Sequence, residues 1–462
     1  MNRWLAEHVF WPLSERLCSR DTMRRYRRLL KTQHAPADTL RALQNRKLAR
    51  SLRSAAAHCP YYARRFDEAG LDVNDPNISA DDLQRLPTLS RAQIRENLDA
   101  LTWRNCPGGV KPFNTGGSTG EPLQFHVDRF RTSADAAARL RCRTWWGVRP
   151  GDVEILLWGA PIELKADDRL RRLRDRMLNQ SILNAFDMTR ATMDTYLARI
   201  RAARPVCLYG YPSSIALLAR HALDRRAATP VPGTDRLRAV FVTGEVLADA
   251  DRDAIATAFG APVAVEYGSR DGGLTALACE KGRLHIQAEN TIFELLDDDD
   301  RPVGPGEVGH VTLTHLETFA MPIIRYRNGD LARWPDDGDA WNQPLCACGR
   351  ALPVLAEVRG RVTDQIVRRT AVGLRRMHAL SLIYVLREVE GLTQFRITQP
   401  SLDRLDVAVV ADERFTPQSQ ARVEQGLRRR MGDDVTIAVR RCDRIAPTAS
   451  GKHACVVSNV EL

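Results

Sequence analysis

Short apolar runs alternate with stretches of helical spacing in the middle of the chain. The apolar runs lie at 206–209, 238–243 and 262–266, and the helical stretches between them lie at 212–225 and 248–259. Strands that alternate with helices pair in parallel through crossover connections. A glycine follows the three runs in turn, namely Gly210, Gly244 and Gly268. Ligands of parallel sheets bind beyond the carboxyl ends of the strands, so these turns mark the expected site.

The patterns on either side of this region differ from it. The first 100 residues read mainly as helices, with a helix break at Pro60 and a capping serine at Ser90. Alternating runs at 291–296 and 310–316 predict an antiparallel hairpin. The four aspartates 297–300 in its turn favour solvent exposure over a calcium site, because they lack the spacing of a calcium loop.

The residues after 360 carry helix and strand patterns of their own, including a strand at 406–410. We therefore predict an α/β protein with a large N-terminal domain at 1–360, in which residues 1–100 are a mainly helical lead-in. This domain combines a mostly parallel sheet, crossover helices and an antiparallel sub-barrel. Residues 361–462 form a small, mobile α+β C-terminal domain.

The segment 1–17 is amphipathic and rich in aromatic residues. Its apolar positions include Trp4, Leu5, Val9, Phe10 and Trp11. Such a helix either packs on its own domain or lies on a membrane surface, and we favour packing. No apolar run approaches the ~20 residues that cross a bilayer, and the start has no secretory signal pattern. We expect a cytoplasmic protein without a transmembrane segment.

Composition adds the size and charge of the molecule. The 462 residues are 44% hydrophobic and 27% charged, which is typical of a globular protein with more than one core. The formal charge is +11, but 62 of the 68 basic residues are arginines interleaved with acids, and aromatic residues make up only 6%. This pattern favours solvated helix faces or an anionic small-molecule partner over nucleic acid. Ten cysteines in a cytoplasmic chain do not imply a disulfide framework.

The stretch 114–122 reads Asn-Thr-Gly-Gly-Ser-Thr-Gly-Glu-Pro. Glycines let successive amide groups turn toward a phosphate, and the hydroxyls add hydrogen-bond donors. The stretch lacks the lysine of a Walker loop and the glycine spacing of a dinucleotide-binding motif. A flexible linker has the same composition, so this run alone leaves both interpretations open.

Taken with four later segments, the stretch resembles the phosphate-binding signature of the adenylate-forming superfamily, which includes the acyl- and aryl-CoA synthetases. The later segments lie at 266–271 (Glu-Tyr-Gly-Ser-Arg-Asp), 325–330 (Arg-Tyr-Arg-Asn-Gly-Asp), 360–364 (Gly-Arg-Val-Thr-Asp) and 449–452 (Ala-Ser-Gly-Lys). They follow the order of the superfamily's motifs. Within it, the chain is most similar to the branch of phenylacetate–coenzyme A ligases and capsule-biosynthesis ligases. That likeness rests on the segments 59–62, 209–214, 243–245 and 346–350.

The resemblance implies a role for each motif residue. The loop Thr115, Gly116, Gly117, Ser118, Thr119 and Gly120 would hold the β- and γ-phosphates of ATP. The nucleotide would also contact Gly244, Glu245, Glu266, Tyr267, Gly268, Ser269, Asp330 and Arg361, with Tyr267 stacked on adenine and Asp330 on the ribose. Lys452 would bridge the substrate carboxylate and the α-phosphate. The alternative is that Lys452 is simply a solvent-exposed lysine near the end of the chain. The acid pocket would be walled by Tyr209, Gly210, Tyr211, Pro212, Val242 and Thr243.

Two residues depart from the pattern of the superfamily. Asp271 stands where the superfamily places a glutamate that binds Mg²⁺, and the alternative is an aspartate at a helix start. Thr363, beside Asp364, replaces the usual charged residue of the hinge.

Three thiols and one imidazole form a donor set for structural Zn²⁺, with buried thiols as the alternative. The four residues are Cys279, His285, Cys346 and Cys348.

The function implied by the resemblance is ATP- and Mg²⁺-dependent adenylation of a carboxylic acid, followed by acyl transfer to coenzyme A. The transfer would follow a rotation of the small domain about residues 361–364. Three alternatives stay open: a carrier-protein thiol as acceptor, an amine as acceptor, and a non-catalytic nucleotide-binding relative. The arginine-rich segment 368–378 either attracts coenzyme A phosphates or is an exposed helix start. A homodimer is also open, and the sequence does not give the identity of the acid.

Overall fold

The computed structural model describes residues 2–114, 123–159, 174–185, 188–225, 230–360, 365–370, 373–387, 389–445 and 456–460. Helix α1 covers residues 3–17 as an α-helical turn, a π-helical segment and an α-helical segment, with bounds Arg3–Leu5, Ala6–Phe10 and Trp11–Leu17. The helices that follow are α2 (Thr22–Thr32), α3 (Ala37–His58), α4 (Pro60–Glu68), α5 (Arg91–Glu96), α6 (Arg129–Thr144), α7 (Arg190–Ala203), α8 (Pro212–Asp224), α9 (Asp249–Phe259), α10 (Leu380–Arg387) and α11 (Pro417–Met431).

The described strands fall into a two-stranded antiparallel sheet of the first two strands, a large sheet, a four-stranded antiparallel sheet and C-terminal sheets. Up to residue 286 they are β1 (Val110–Asn114), β2 (Gln124–Asp128), β3 (Glu154–Trp158), β4 (Gln180–Asn184), β5 (Cys207–Gly210), β6 (Ala239–Thr243), β7 (Val263–Ser269), β8 (Gly273–Ala278) and β9 (Leu284–Ile286). The next are β10 (Thr291–Leu296), β11 (Val308–His315), β12 (Tyr326–Arg333), β13 (Val354–Leu355), β14 (Glu357–Gly360), β15 (Gln365–Thr370) and β16 (Gly373–His378). The last are β17 (Leu392–Ser401), β18 (Arg404–Ala411), β19 (Thr436–Arg441) and β20 (Val456–Ser458).

The large sheet has eight strands in the order β13-β9-β8-β7-β6-β5-β3-β4. Strands β4, β3, β5, β6 and β7 are parallel, while β8, β9 and β13 continue the sheet in antiparallel pairing. The predicted parallel strands and crossover helices are therefore confirmed. Strand β7 runs one residue beyond Gly268 before the chain turns into β8, so the expectation that Gly268 ends the strand is wrong.

Alternation of side chains along the strands places an apolar core on each face of this sheet. Val240 and Val242 pack with Ile215 of α8 and Ile255 of α9 on one face. Their neighbours Ala239 and Phe241 pack on the opposite face in a cluster with Cys142 of α6 and Trp145, which follows that helix. Both faces of a parallel sheet are thus buried, as continuous apolar runs require.

The predicted hairpin is confirmed as β10 paired antiparallel with β11, in a four-stranded sheet of order β10-β11-β12-β14. Three aspartates of its turn have side-chain partners: Asp299 pairs with Arg301 at 3.0 Å, Asp300 pairs with Arg327 at 2.6 Å, and Asp298 lies 2.9 Å from His310 Nε2. Asp298 and Asp299 are exposed, which agrees with the interpretation of a solvated turn.

A buried carboxylate joins the N-terminal helices to the rest of the protein. Glu317 accepts charge-assisted hydrogen bonds from Arg25 of α2 at 2.6 Å and Arg50 of α3 at 3.2 Å, and Lys47 pairs with it at 2.7 Å. Burial alone would raise the pKa of Glu317, but Lys47 and Arg25 lower that pKa to about 2. Charge pairing therefore supplements apolar packing in holding these helices in place.

The C-terminal residues form a separate apolar cluster, whose buried members all lie between Ile366 and Val456. This cluster includes residues of the sheet β19-β18-β17-β20, of which β18 contains the predicted strand 406–410. The segment 368–378 is not a helix start. Its described residues belong to the antiparallel strands β15 and β16, in whose register Arg368 is paired with Arg375.

Candidate nucleotide-binding site

Three predicted segments lie side by side at the carboxyl edge of the parallel sheet. Gly210 pairs with Val242 across β5 and β6, and Thr243 pairs with Glu266 across β6 and β7. A side chain at Gly210 is excluded, because a Cβ there would stand 2.4 Å from the Leu157 carbonyl oxygen. Parallel pairing therefore gathers residues that are some sixty positions apart in the sequence, as predicted.

Tyr267 of β7 and Asp330 of β12 meet where the large sheet and the four-stranded sheet come together. The Tyr267 hydroxyl donates a hydrogen bond to Asp330 Oδ2 at 2.8 Å. Asn328 donates through Nδ2 to the same carboxylate oxygen and to the Tyr267 hydroxyl, both at 3.0 Å, and its Oδ1 accepts from the Asp330 amide. Two motifs from different sheets thus form one hydrogen-bonded cluster with a buried carboxylate.

Asn328 was not among the predicted site residues. It lies within the Arg-Tyr-Arg-Asn-Gly-Asp segment and stands two positions before Asp330 on β12, so both side chains lie on one face of that strand. The period of two was the signal that could have identified Asn328 from the sequence.

Asp271 is buried in a polar cluster of its own. Its Oδ2 accepts a hydrogen bond from the Tyr326 hydroxyl at 2.6 Å and another from Arg91 at 3.3 Å, and its Oδ1 accepts from the Gly272 amide at 3.2 Å. Arg91 also donates to the Tyr326 hydroxyl. Burial raises the pKa of Tyr326, and the neighbouring Asp271 carboxylate raises it further.

This environment does not fit direct coordination of Mg²⁺ by Asp271. Both carboxylate oxygens accept hydrogen bonds, one donor is a guanidinium, and the residue is 1% exposed. A cation at the carboxylate would face the positive charge of Arg91 across a short distance. The structure therefore places Asp271 as a partner of Arg91 and Tyr326 rather than as a direct ligand of Mg²⁺. No feature of the sequence pointed to Arg91 as its partner.

Glu266 is held on the opposite face of β7 from Tyr267. Arg139 of α6 donates to both of its oxygens, at 2.9 and 2.8 Å, and the Tyr209 hydroxyl donates at 2.9 Å. Burial would raise the pKa of Glu266, but the Arg139 guanidinium outweighs this effect and keeps that pKa below its usual value. The structure thus places Glu266 as an anchor between α6 and the sheet.

Glu245 follows β6, and its side chain reaches the start of helix α8. Its carboxylate accepts a hydrogen bond from the Ser213 amide at 3.0 Å, which satisfies one of the amides that a helix leaves unpaired at its first turn. The preceding residue, Gly244, has φ 82° and faces the Tyr211 ring. Glu245 thereby fixes the turn that carries the predicted acid-pocket residues.

Aromatic side chains cover the predicted acid-pocket segment. Trp158, at the end of β3, stacks on Tyr211 with ring centroids 4.3 Å apart and an interplanar angle of 14°. Its ring also lies 5.5 Å from that of Tyr209. Trp158 was missed at the sequence level, although its place at the carboxyl end of a buried apolar run was the available signal. The three rings give this edge of the sheet an aromatic surface.

Several predicted site residues lie outside the described residues. They are the loop Thr115–Gly120, the hinge residues Arg361, Thr363 and Asp364, and Lys452. The residue before the loop is described: the Asn114 carbonyl accepts a hydrogen bond from Arg270 at 3.5 Å. Arg270 stands three positions after Tyr267 in the sequence. This contact therefore places the residue before the predicted phosphate loop close to the segment that carries Tyr267.

The four predicted metal ligands converge at the edge of the large sheet. Their ligand atoms all lie within 4.8 Å of one another. Cys279 Sγ is 4.0 Å from Cys346 Sγ, and Cys348 Sγ is 3.3 Å from His285 Nε2. Tetrahedral zinc places two sulfurs about 3.8 Å apart and a sulfur and nitrogen about 3.6 Å apart. The separations fit a tetrahedral ion with these four ligands.

The surroundings of His285 suit a metal ligand. Its Nδ1 donates to the Leu352 carbonyl oxygen at 2.9 Å, which leaves Nε2 directed at the thiols. Burial lowers the pKa of His285 to about 4, so the ring is neutral at neutral pH. Burial raises the pKa of the Cys279 thiol to about 12. A cation would displace the thiol protons and compensate for this burial.

Comparison with known proteins agrees with these observations. Residues 374–459 match the family model of the CapK C-terminal domain. The chain is 22% identical to Protein CapK of Staphylococcus aureus over 401 residues, which cover 84% of this chain and 83% of that protein. It is 24% identical to phenylacetate-coenzyme A ligase of Thermus thermophilus over 392 residues, or 82% of this chain and 83% of that one. The resemblance predicted from the motifs is confirmed.

The fold also matches solved structures. A 2-hydroxyisobutyryl-CoA ligase in the postadenylation state superposes with a TM-score of 0.58 at 22% identity, covering 93% of this chain and 91% of that chain. The same enzyme with its acyl-AMP and CoA in the thioesterification state gives a TM-score of 0.62 at 22% identity, with 93% and 92% covered. The predicted α/β fold, with a parallel-rich sheet and a smaller C-terminal α+β region, is thereby confirmed.

Proposed function

We propose that this protein is an AMP-forming acid–thiol ligase, which converts a carboxylic acid and ATP to an acyl-adenylate and then passes the acyl group to coenzyme A. The observation that carries the proposal is the hydrogen bond of 2.8 Å between Tyr267 and Asp330 at the carboxyl edge of the parallel sheet. It joins two motifs that we predict to bind the nucleotide, at the place where such sheets bind ligands. The relatives named as phenylacetate-coenzyme A ligases support the same reaction.

The first step forms one bond and breaks another at the α-phosphorus of ATP. A carboxylate oxygen attacks this phosphorus, and the bond to the bridging oxygen breaks to release pyrophosphate. Positioning and neutralisation of charge supply most of the catalysis in such a step. Asp330 would accept hydrogen bonds from the ribose, and Tyr267 would support adenine. Residues 115–120, Arg361 and Lys452 would contact the phosphates.

In the second step, the sulfur of coenzyme A attacks the acyl carbon of the adenylate. The carbon–oxygen bond to AMP breaks, a thioester forms, and the thiol proton is released. We propose that residues 361–462 move as a unit about positions 361–364 between the two steps and so exchange Lys452 for the thiol. The separate apolar cluster of residues 366–456 supports this division of the chain.

The acceptor and the cellular setting are parts of the same proposal. We infer that coenzyme A is the acceptor and that the reaction takes place in the cytoplasm. No helix in the described part of the chain combines the length and apolar character needed to cross a bilayer. Incubation of the protein with the acyl-adenylate and coenzyme A, without any other acceptor, should yield a thioester and AMP. If product appears only when a carrier protein or an amine is added, the acceptor assignment is wrong.

Exchange of labelled pyrophosphate into ATP, measured across a panel of carboxylic acids, tests the first step. We expect exchange with at least one acid, and we expect Asp330→Ala to raise the KM for ATP about 10- to 100-fold. The reason is the loss of hydrogen bonds to a charged acceptor, each of which contributes about 1.5–3 kcal/mol. ATP binding without exchange in any acid would instead favour a non-catalytic nucleotide-binding protein.

Asp336→Ala is the matched control for this experiment. Asp336 lies just after β12, the strand that carries Asp330, but its carboxylate is exposed and pairs with Arg333 at 2.6 Å. Its removal should leave the KM for ATP unchanged. An equal rise of KM in both variants would remove Asp330 from the nucleotide site.

We also propose that Cys279, His285, Cys346 and Cys348 bind one structural Zn²⁺. The distances between their ligand atoms and the neutral imidazole of His285 support this assignment. The ion would tie the segment of Cys346 and Cys348 to β8 and β9. It would therefore act in folding rather than in the reaction.

Chelation of the metal is expected to lower stability. A ligand that is present at 1,000 times its Kd contributes about 4 kcal/mol to the folded state. We expect one zinc per chain by elemental analysis, and a Cys348→Ser variant that lacks both the zinc and this stabilisation. Cys442→Ser, at a similarly half-buried cysteine, should retain the metal. Full zinc content in Cys348→Ser would contradict the proposed ligand set.

A further inference from the structure

Helix α1 presents a row of large apolar side chains to solvent. Five of them form what we call the apolar stripe, with exposed fractions from 40% at Leu5 to 79% at Leu17. Its members are Trp4, Leu5, Val9, Leu13 and Leu17. Among the described residues, ten large apolar side chains are this exposed, and half of them lie in this one helix.

The stripe belongs to a helix that is docked on the protein. Ala6 is fully buried, and a Cβ added at Gly151 would stand 2.8 Å from the Arg3 carbonyl oxygen and 3.0 Å from the Ala6 Cβ. Arg3 also pairs with Asp152 at 3.8 Å. Trp11 also packs inward, on the apolar cluster that contains Met23, Tyr26 and Leu29 of α2. The expected packing of α1 on the protein therefore holds for Ala6 and Trp11, whereas the five side chains of the apolar stripe face solvent.

A basic surface lies on the next helix. Helix α2 buries Thr22, Met23, Tyr26 and Leu29, and its exposed positions recur at helical spacing. We call these positions the basic face: Arg24, Arg27, Arg28 and Lys31. A hydrogen bond of 2.8 Å from the Met23 amide to Glu15 of α1 holds the two helices together.

We propose that the apolar stripe and the basic face together dock this protein on the surface of an anionic lipid bilayer. Apolar side chains that include tryptophan enter the boundary between headgroups and acyl chains, while arginine and lysine attract anionic headgroups. Charge complementarity selects this occupant: the four exposed positions of the basic face carry one sign of charge, and the whole chain has a formal charge of +11. The helix lies on the surface and does not span it.

Co-sedimentation of the full chain with vesicles tests the proposal. We expect binding to vesicles of phosphatidylcholine and phosphatidylglycerol that weakens with salt, and much weaker binding to phosphatidylcholine alone. The double variant Leu13→Glu/Leu17→Glu should bind about 100-fold more weakly, because each buried leucine contributes roughly tenfold or more. Arg24→Glu/Arg28→Glu should remove the preference for anionic lipid.

Leu217→Glu/Leu374→Glu is the matched control, since both leucines are 43% exposed and lie outside α1 and α2. This variant should bind like the unaltered chain. Thermal unfolding followed by circular dichroism checks that each variant is folded, and neither this measurement nor vesicle binding depends on the proposed ligase reaction. Absence of binding to anionic vesicles, or equal binding of Leu13→Glu/Leu17→Glu, would overturn the proposal. The proposal would also be wrong if the chain formed a dimer without lipid, and if Leu13→Glu/Leu17→Glu abolished that dimer without changing vesicle binding. The apolar stripe would then bind a second copy of the chain.

Discussion

Replacing Lys452 with alanine is expected to slow adenylation about 10²- to 10³-fold, the usual effect of removing one charged or hydrogen-bonding group from a transition state. The proposed role of Lys452 is to neutralise the charges of the attacking carboxylate and the α-phosphate, which otherwise repel each other. Carboxylate-dependent exchange of pyrophosphate into ATP measures this step directly. The thermal unfolding curve should be unchanged.

Two further measurements make this result specific. Lys31→Ala removes another of the six lysines, on the exposed side of α2, and should leave exchange in lipid-free solution unaffected. Transfer of the acyl group from a preformed adenylate to coenzyme A should be much less sensitive to Lys452→Ala than adenylation is. Equal exchange in Lys452→Ala and the unaltered protein would exclude the lysine from the mechanism.

Replacing Glu289 with glutamine is expected to lower the free energy of unfolding by about 3–5 kcal/mol, because it leaves a buried guanidinium without its counter-charge. Glu289 accepts hydrogen bonds from Arg141 at 3.0 and 3.2 Å, and both side chains are at most 1% exposed. Burial would raise the pKa of Glu289, but Arg141 keeps that pKa below its usual value. Chemical denaturation followed by circular dichroism measures the loss.

The double variant Arg141→Met/Glu289→Gln separates a missing charge partner from simple loss of packing. It should be more stable than Glu289→Gln alone, since no unpaired charge stays in the interior. Glu357→Gln is a control on an exposed pair with Arg359 and should change stability by less than about 1 kcal/mol. A loss below about 1 kcal/mol in Glu289→Gln would show that the buried pair does not stabilise the fold.

The parallel strands could be predicted from the sequence because each is a continuous apolar run with a turn after it. Because both faces of a parallel sheet are buried, its strands are continuous apolar runs, and the hydropathy of each segment is enough to distinguish them from the crossover helices. The hairpin of β10 and β11 could be predicted from its alternation. The segment 368–378 was harder to predict, since two adjacent pairs of arginines, 368–369 and 375–376, are as typical of an exposed helix start as of paired strands.

The sequence was enough to indicate which segments would build the candidate nucleotide site and which four residues would converge at the sheet edge, because strand topology follows from local pattern and the resemblance of the motifs supplied their roles. The partners of each buried side chain followed only from the folded structure. Asp271 received Arg91 and Tyr326 as partners, and Glu266 received Arg139. These partners are distant in sequence, and a carboxylate pairs with whichever donors the packing of helices and sheets brings within about 3 Å. The same packing left five large apolar residues of α1 exposed while it placed Trp11 against the protein. No periodicity could indicate this division, since an amphipathic pattern fixes a face without fixing what that face contacts.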